Sequence, residues 1–172
     1  MGPVTLNKKE PRVDLSKPFC VVAIDPGFCT GVCRVRIDPG FSLGGVAFAK
    51  EIPWDQRFSL YQLPAYYPKD VFIMESFRVY PHKAQDLIGS DMPSCQVIGI
   101  VEAALYHAGK LDQLVYQQAI ATKGVKIPPD FSSVFGSSEH MKDAFKHIRY
   151  WAAFRKNKFI TRRKNERITG GS

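Results

Sequence analysis

The sequence has no long hydrophobic run and no apolar segment at its start. Near the N-terminus, the longest stretch without a charged or turn residue is Phe19 to Ile24, six residues. A membrane-spanning helix needs about 20 apolar residues. The first 18 residues are polar, and a signal peptide requires an apolar core. We therefore expect no membrane association and no export.

Paired cysteine motifs are also lacking. The four cysteines, Cys20, Cys29, Cys33 and Cys95, include no CxxC pair. Cys29 and Cys33 are four positions apart, but no neighbouring pair of His or Cys completes the four ligands of a structural zinc site. Reduced thiols are the default in a protein without an export signal. A disulfide framework and a zinc module are therefore not expected.

The sequence has fewer acidic than basic residues. Lys and Arg total 24 and Asp and Glu total 16, so the formal net charge is +8. A basic balance of this size favours an anionic partner, most often nucleic acid. The 172 residues are 45% hydrophobic, which is enough for the core of one ordinary domain.

The hydrophobic pattern predicts a mixed α/β domain. Apolar runs and alternating stretches predict strands, and apolar residues at helical spacing predict two long helices. Residues 55–63 are weakly helical, and Gly109 is interpreted as a helix stop. Ser137 or Ser138 suits the N-cap of the last helix. The predicted strands are 19–25, 31–37, 43–50, 70–75 and 112–117, and the predicted helices are 94–108 and 139–154. The order β-β-β-(α)-β-α-β-α indicates a mixed sheet with helices packed on it.

Two of the apolar strands end in an acid. Asp25 follows FCVVAI, and Glu75 follows VFIM. A buried carboxylate is costly unless it is paired or binds a metal. On the last helix, His140, Asp143 and His147 fall within about 60° of one another around the axis. For Asp25 or Glu75 alone, the alternative interpretation is an N-cap, a turn residue or a salt-bridge partner. For Asp143 alone, it is an ordinary first-turn acid favoured by the helix dipole.

Three acids meeting at one end of a sheet would form a site of hard oxygen ligands. Such ligands suit Mg²⁺ or Mn²⁺ rather than zinc. Two ions about 3.5–4 Å apart can activate water and stabilise the leaving oxygen of a phosphodiester. The basic surface would hold the phosphate backbone. The pattern therefore predicts two ions per site and phosphodiester hydrolysis.

Three segments carry a family resemblance. VAIDPGFCTG (22–31) resembles the first motif of RuvC-type Holliday junction resolvases, in the ribonuclease H-like superfamily. VFIME (71–75) resembles their second acidic strand, and HMKDA (140–144) their closing helix motif. The histidine in that last motif, with His147 after it, looks more like phage and other divergent members than like the bacterial housekeeping enzyme. The resemblance extends along residues 19–154.

The resemblance implies a ribonuclease H-like fold, a five-stranded mixed sheet with helices on both faces. It implies a homodimeric endonuclease that nicks branched DNA, such as four-way junctions, in the cytoplasm of a bacterium or a phage-infected host. Asp25 would bridge the ions, Glu75 and Asp143 would complete the shell, and His140 would be a ligand or proton handler. His140 stands where housekeeping enzymes place a carboxylate, and residues 76–93 and the basic tail have no alignable counterpart.

The expected organisation has three parts: an extended arm (1–18), the nuclease domain (19–154) and a basic tail (155–172). Phe28, Phe77 and Tyr80 are interpreted as packing residues, with stacking on an opened junction as the alternative. Gly27 and Gly31 are interpreted as turn glycines, with close approach to a ligand as the alternative. The expected DNA contacts are Arg78, His82, Lys83, Lys123, Lys126, Arg155, Lys156, Lys158, Arg162, Arg163 and Lys164.

Two other functions compete with the nuclease. A nucleic-acid-binding protein of the same fold would keep the acids without cleaving. An actin-like ATPase shares the sheet topology and a similar glycine-containing first turn, but it needs two such lobes and about twice this length. Cleavage with Mg²⁺ or Mn²⁺ separates the first alternative from a nuclease, and nucleotide binding would favour the second.

Overall fold

The computed structural model describes residues 13–14, 16–77 and 91–169, with side chains described as far as Asn157. Within these ranges the structure has five strands and four α-helices, and the strands and the two long helices follow the order that the sequence predicts. They are β1 (Phe19–Asp25), β2 (Cys29–Asp38), β3 (Ser42–Pro53), α1 (Leu63–Tyr66), β4 (Val71–Ser76), α2 (Pro93–His107), β5 (Leu114–Gln118), α3 (Pro129–Phe135) and α4 (Glu139–Thr169). A 3₁₀ helix, Trp54–Gln62, links β3 to α1. None of the helices in these ranges is both long enough and apolar enough to cross a membrane.

The five strands form one mixed sheet in the order β3-β2-β1-β4-β5. The first three strands are an antiparallel meander, and β4 and β5 run parallel to β1. The carboxyl ends of β1, β4 and β5 therefore lie at the same edge of the sheet. Because parallel strands need crossover connections, helices must cover the sheet.

Helices cover both faces of the sheet. Val21 and Ala23 of β1 pack in one buried cluster with side chains of α3 and α4. Val22 and Ile24 pack in a second cluster with side chains of α2 on the opposite face. This division follows from the two-residue period of a strand. The predicted fold class, a mixed five-stranded sheet with helices on both faces, is confirmed.

Helix α4 begins where the sequence predicts but continues further. Ser138 lies just before it, and its Oγ accepts a hydrogen bond from the backbone N–H of Met141 at 3.1 Å, which is N-cap geometry. Its predicted apolar stripe is buried, including Phe145 and Ile148. The helix runs to Thr169 rather than ending at residue 154. The predicted boundary between nuclease domain and basic tail thus falls inside one helix, and the division itself stays a prediction.

Two local predictions need correction. The predicted strands and helices leave residues 119–136 without regular structure, but they contain the short helix α3, whose Phe135 is buried and packs against Phe145 with ring planes inclined by 47°. Seven residues starting with a proline give too little periodicity to indicate a helix. Strand β2 begins at Cys29 rather than at residue 31, so Gly31 is its third residue and does not flank the turn. Gly109, by contrast, follows the end of α2 with a φ of 66°, as a helix stop requires.

Candidate functional site

A row of five residues crosses the whole sheet at the edge where β1, β4 and β5 end. Gly31 of β2 pairs with Glu51 of β3 and with Asp25 of β1, and Glu75 of β4 pairs with Gln117 of β5. Asp25 and Glu75 each follow the pair Ile24–Met74 by one position. Strand alternation puts Asp25, Glu75 and Gln117 on the face covered by α4. Together with Glu51, which contacts Ser138 at the start of α4, the row therefore presents three carboxylates and one amide to that helix.

Gly31 lets α4 come down onto this row. A β-carbon placed at residue 31 would lie 2.1 Å from the carbonyl oxygen of His140, far inside van der Waals contact. Only glycine therefore allows the first turn of α4 to reach β2 beside Asp25. The close approach is to the chain's own backbone rather than to a ligand, and it explains this glycine better than turn geometry does.

The Asp25 carboxylate pairs with His140. His140 Nδ1 lies 3.0 Å from Asp25 Oδ2, and the Asp25 side chain is 14% exposed against 46% for His140. The pKa of the Asp25 carboxyl is raised to about 6 from 3.8, chiefly by burial and in smaller part by the nearby charges of Glu75 and Asp143. The hydrogen bond and charge of His140 act in the opposite direction. The charges of the other two predicted acids, Glu75 and Asp143, therefore both act on the Asp25 carboxyl.

Glu75 is held by a buried histidine. His147 is fully buried, and its Nε2 lies 2.9 Å from Glu75 Oε2. Its Nδ1 lies 2.9 Å from Gln117 Oε1. A carboxylate can only accept hydrogen bonds, so Nε2 donates to Glu75. His147 thus fixes Glu75 from within the core while Gln117 fixes the ring.

Asp143 sits one turn further along α4 beside an open cleft. Its Oδ1 accepts a hydrogen bond from Lys146 Nζ at 2.6 Å. The cleft has a volume of about 490 Å³ and lies between α4 and the loop after β5, with Asp143, Lys146 and Lys123 in its lining. Two lysines beside an acid make this the part of the site where phosphate groups would meet positive charge.

Glu51 is a further carboxylate that sequence reasoning missed. It accepts a short hydrogen bond from the hydroxyl of Ser138, the N-cap of α4. The sequence of β3 does not indicate a site residue at Glu51, because the alternation of buried and exposed residues along this strand is weak. Only the pairing of Glu51 with Gly31 places it in the row. Glu51 anchors the start of the helix that carries His140 and Asp143. Gln117 and the role of His147 were also missed, because they depend on the same cross-sheet placement.

The carboxylates and the imidazole of this site are ligand types that suit a hard cation. In the structure, however, each is paired with another side chain of the same chain. Among the residues that the structure describes, no three His, Cys, Asp or Glu side chains are grouped so as to hold an ion. The acids are instead engaged by His140, His147 and Lys146. Carboxylate oxygens with one imidazole are nonetheless the ligands that Mg²⁺ and Mn²⁺ accept. Binding would require side-chain rotations that release these pairs.

The expected DNA contacts are only partly covered by the structure. Lys123 and Lys126 are exposed on the loop after β5. Arg155 lies on α4 with its guanidinium 5.4 Å from the ring centre of Trp151, and Lys156 is exposed. Arg78, His82, Lys83 and Tyr80 lie outside the described residues, as do the side chains of Lys158, Arg162, Arg163 and Lys164. The DNA contacts of all these residues, described or not, stay predictions.

Comparison with known proteins decides the fold. No family model and no curated protein matches the sequence. Among solved structures, RuvC of T. thermophilus in complex with a Holliday junction substrate superimposes with a TM-score of 0.58. The match covers 81% of this chain and 96% of that one. The chain has the fold of RuvC. At 14% identity this likeness to RuvC establishes the ribonuclease H-like architecture and nothing about activity.

The raised pKa of Asp25 predicts a pH-dependent stability. Because the folded pKa, about 6, lies above the ordinary 3.8, the folded state holds a proton more tightly than the unfolded state. This carboxyl therefore lowers the free energy of unfolding progressively as pH rises from about 4 to about 6. Asp25→Asn cannot ionise, so its stability relative to wild type should rise by about 2–3 kcal/mol over that interval.

Chemical denaturation at pH 4, 5, 6 and 7 in EDTA measures this difference. The chelator is needed because a bound cation would itself favour the ionised form. A stability difference between variant and wild type that stays constant across the series would show that folding does not raise the pKa of Asp25.

Proposed function

We propose that this protein is a divalent-metal-dependent endonuclease that cuts branched DNA, such as four-way junctions, by phosphodiester hydrolysis. The observation that carries the proposal is the placement of Asp25 and Glu75 at the same end of two neighbouring parallel strands, paired with histidines of the helix that also bears Asp143. The fold of RuvC, seen in complex with a Holliday junction substrate, supports the choice of substrate. The net charge of +8 supports a polyanionic partner.

Asp25, Glu75, Asp143 and His140 are the residues that would hold Mg²⁺ or Mn²⁺, with two ions per site. When bound, such ions activate a water molecule and stabilise the leaving 3′ oxygen of the phosphodiester. Asp25 lies centrally in the row and would contact both ions. His140, with its side chain about half exposed, is placed to exchange protons with solvent as well as to act as a ligand.

The lysines and the buried histidine have supporting roles. Lys123 and Lys146 line the cleft next to Asp143 and would bind phosphates flanking the scissile one. On binding of a cation, Asp143 would exchange its contact with Lys146, which frees that ammonium for phosphate. His147 would keep Glu75 aimed at the site. We also propose a homodimer, because symmetric nicking of a four-way junction requires two sites.

Cleavage of a matched panel of substrates tests the proposal. A four-way junction, a Y-shaped molecule and a linear duplex of the same sequence would be incubated with the protein in Mg²⁺, Mn²⁺ or EDTA. We expect nicks in branched DNA with either ion, little cutting of the linear duplex and none in EDTA. Binding of branched DNA without nicking in either ion would instead indicate a non-catalytic binding protein.

A further inference from the structure

An exposed aromatic ring lies in the turn that follows Asp25, the central member of the five-residue row across the sheet, which we call the acid row. Phe28 lies three residues after Asp25 and is 69% exposed, one of the most exposed large apolar side chains among the described residues. Its ring stacks on that of Trp54, with centroids 5.9 Å apart and planes inclined by 13°. Exposure of a ring on this scale leaves apolar area in water, and here it occurs beside the site.

The ring is held in place rather than hanging free. In the turn that carries it, Thr30 Oγ1 donates a hydrogen bond to the Gly27 carbonyl at 3.1 Å. Ser94 Oγ at the start of α2 donates to the Pro26 carbonyl at 2.8 Å. A side chain on an anchored turn loses little conformational freedom when something binds to it.

Trp54 is fixed in turn by a cation. The guanidinium of Arg57 lies 4.0 Å from the centre of the Trp54 ring and 4.5 Å from that of Phe58, which is 64% exposed. Arg57 Nη1 also donates to the Trp54 carbonyl at 2.9 Å. Phe28, Trp54, Arg57 and Phe58 thus form a cluster of three rings and one guanidinium layered on one another, which we call the aromatic platform.

We propose that the aromatic platform stacks an unpaired nucleobase of branched DNA beside the phosphate held at the acid row. The inference rests on the DNA-binding part of the proposed function. A preorganised aromatic face with an adjacent guanidinium suits a base and its phosphate, because every base has a π-face and stacking tolerates any sequence. Three residues of chain span at most about 10 Å, so the backbone of Phe28 lies within that distance of the backbone of Asp25.

The platform also gives a physical reason for preferring branched DNA. Bases within a continuous duplex are stacked on each other and offer no free face. Bases at a branch point can separate at lower cost, because their stack is already interrupted. Phe28 would therefore contribute to binding of branched DNA and contribute little to binding of a linear duplex.

Binding of matched DNA by three variants tests this inference. Affinities for a four-way junction and a linear duplex would be measured by fluorescence anisotropy in EDTA, so that no cleavage intervenes. We expect Phe28→Ala to lose about tenfold in affinity for the junction and little for the duplex. Phe28→Tyr should restore the affinity. Tyr106→Ala is the control, because Tyr106 is also 69% exposed but lies near the far end of α2.

A spectroscopic variant reports stacking directly. Phe28→Trp adds an indole at the platform, and we expect its emission to be quenched by the junction but not by the linear duplex. Equal loss of affinity for both DNAs in Phe28→Ala, or no loss beyond that of Tyr106→Ala, would overturn the inference. If wild type then still nicks branched DNA, the proposed function survives. A Phe28 effect on binding without any nicking by wild type would overturn the nuclease and keep the platform.

Discussion

Asp25→Asn is expected to lower the rate of branched-DNA cleavage by at least about a thousandfold while leaving DNA binding intact. Asp25 is the central acid of the row, and its charge interacts with both Glu75 and Asp143. If Asp25 is a ligand of the proposed ions, its loss removes several kcal/mol of transition-state stabilisation, and about 4 kcal/mol corresponds to a thousandfold in rate. Asparagine keeps the shape of the side chain and its capacity to pair with His140.

Binding should survive because it depends on other groups. Lys123 and Lys146 line the cleft, and in EDTA, where no cation is bound, removing the negative charge of Asp25 favours a polyanion. Single-turnover cleavage and anisotropy, measured on the same preparation, separate the two effects. Glu139→Gln is the matched control, since Glu139 is an exposed acid at the start of α4 that pairs with Lys142. Cleavage by Asp25→Asn within tenfold of wild type would contradict the assignment.

His147→Ala is expected to destabilise the protein by about 3–5 kcal/mol and to impair cleavage. The substitution removes a fully buried ring and leaves Glu75 and Gln117 without the partner that each contacts at 2.9 Å. A cavity in place of a fully buried ring, together with the loss of its hydrogen bonds to Glu75 and Gln117, is among the costlier single changes in a core. Denaturant unfolding at pH 7.5 measures the loss of stability, and circular dichroism establishes whether the variant is folded.

Two conservative variants separate orientation of Glu75 from stability alone. The amide of glutamine approximates the position of a histidine Nε2, and that of asparagine approximates Nδ1. His147→Gln can therefore keep the bond to Glu75, whereas His147→Asn can keep only the bond to Gln117. If His147 positions Glu75, His147→Gln retains more cleavage than His147→Asn at matched stability. Equal cleavage by the two variants would leave His147 a purely structural residue.

The elements that determine the fold could be predicted from local pattern. Strand β1 spans Phe19–Asp25, as its apolar run predicts, and the stripe of α4 is buried where helical spacing places it. Asp25 and Glu75 were recognisable because an acid at the end of a buried strand is unusual. Asp143 was recognisable by its place beside His140 on the last helix. These features depend on residues that are neighbours in sequence.

The residues that the sequence did not indicate depend on strand order and register. Glu51 and Gln117 belong to the row only because β2 lies between β1 and β3, and β4 between β1 and β5. The need for glycine at position 31 appears only once α4 lies on β2. Phe28 was interpreted as a packing residue, but its exposure depends on where the turn after β1 points. Contacts between distant segments cannot be seen in local pattern; Asp25 and His140, for example, are 115 positions apart in the sequence.

Titration of the protein with Mn²⁺, followed by electron paramagnetic resonance of the free ion, tests the central claim most directly. The claim is that Asp25, Glu75 and Asp143 bind hard cations as one site. We predict that wild type and Glu139→Gln bind Mn²⁺ alike, and that Asp25→Asn, Glu75→Gln and Asp143→Asn each weaken binding at least about tenfold. Three folded variants that bind Mn²⁺ as wild type does would contradict the claim.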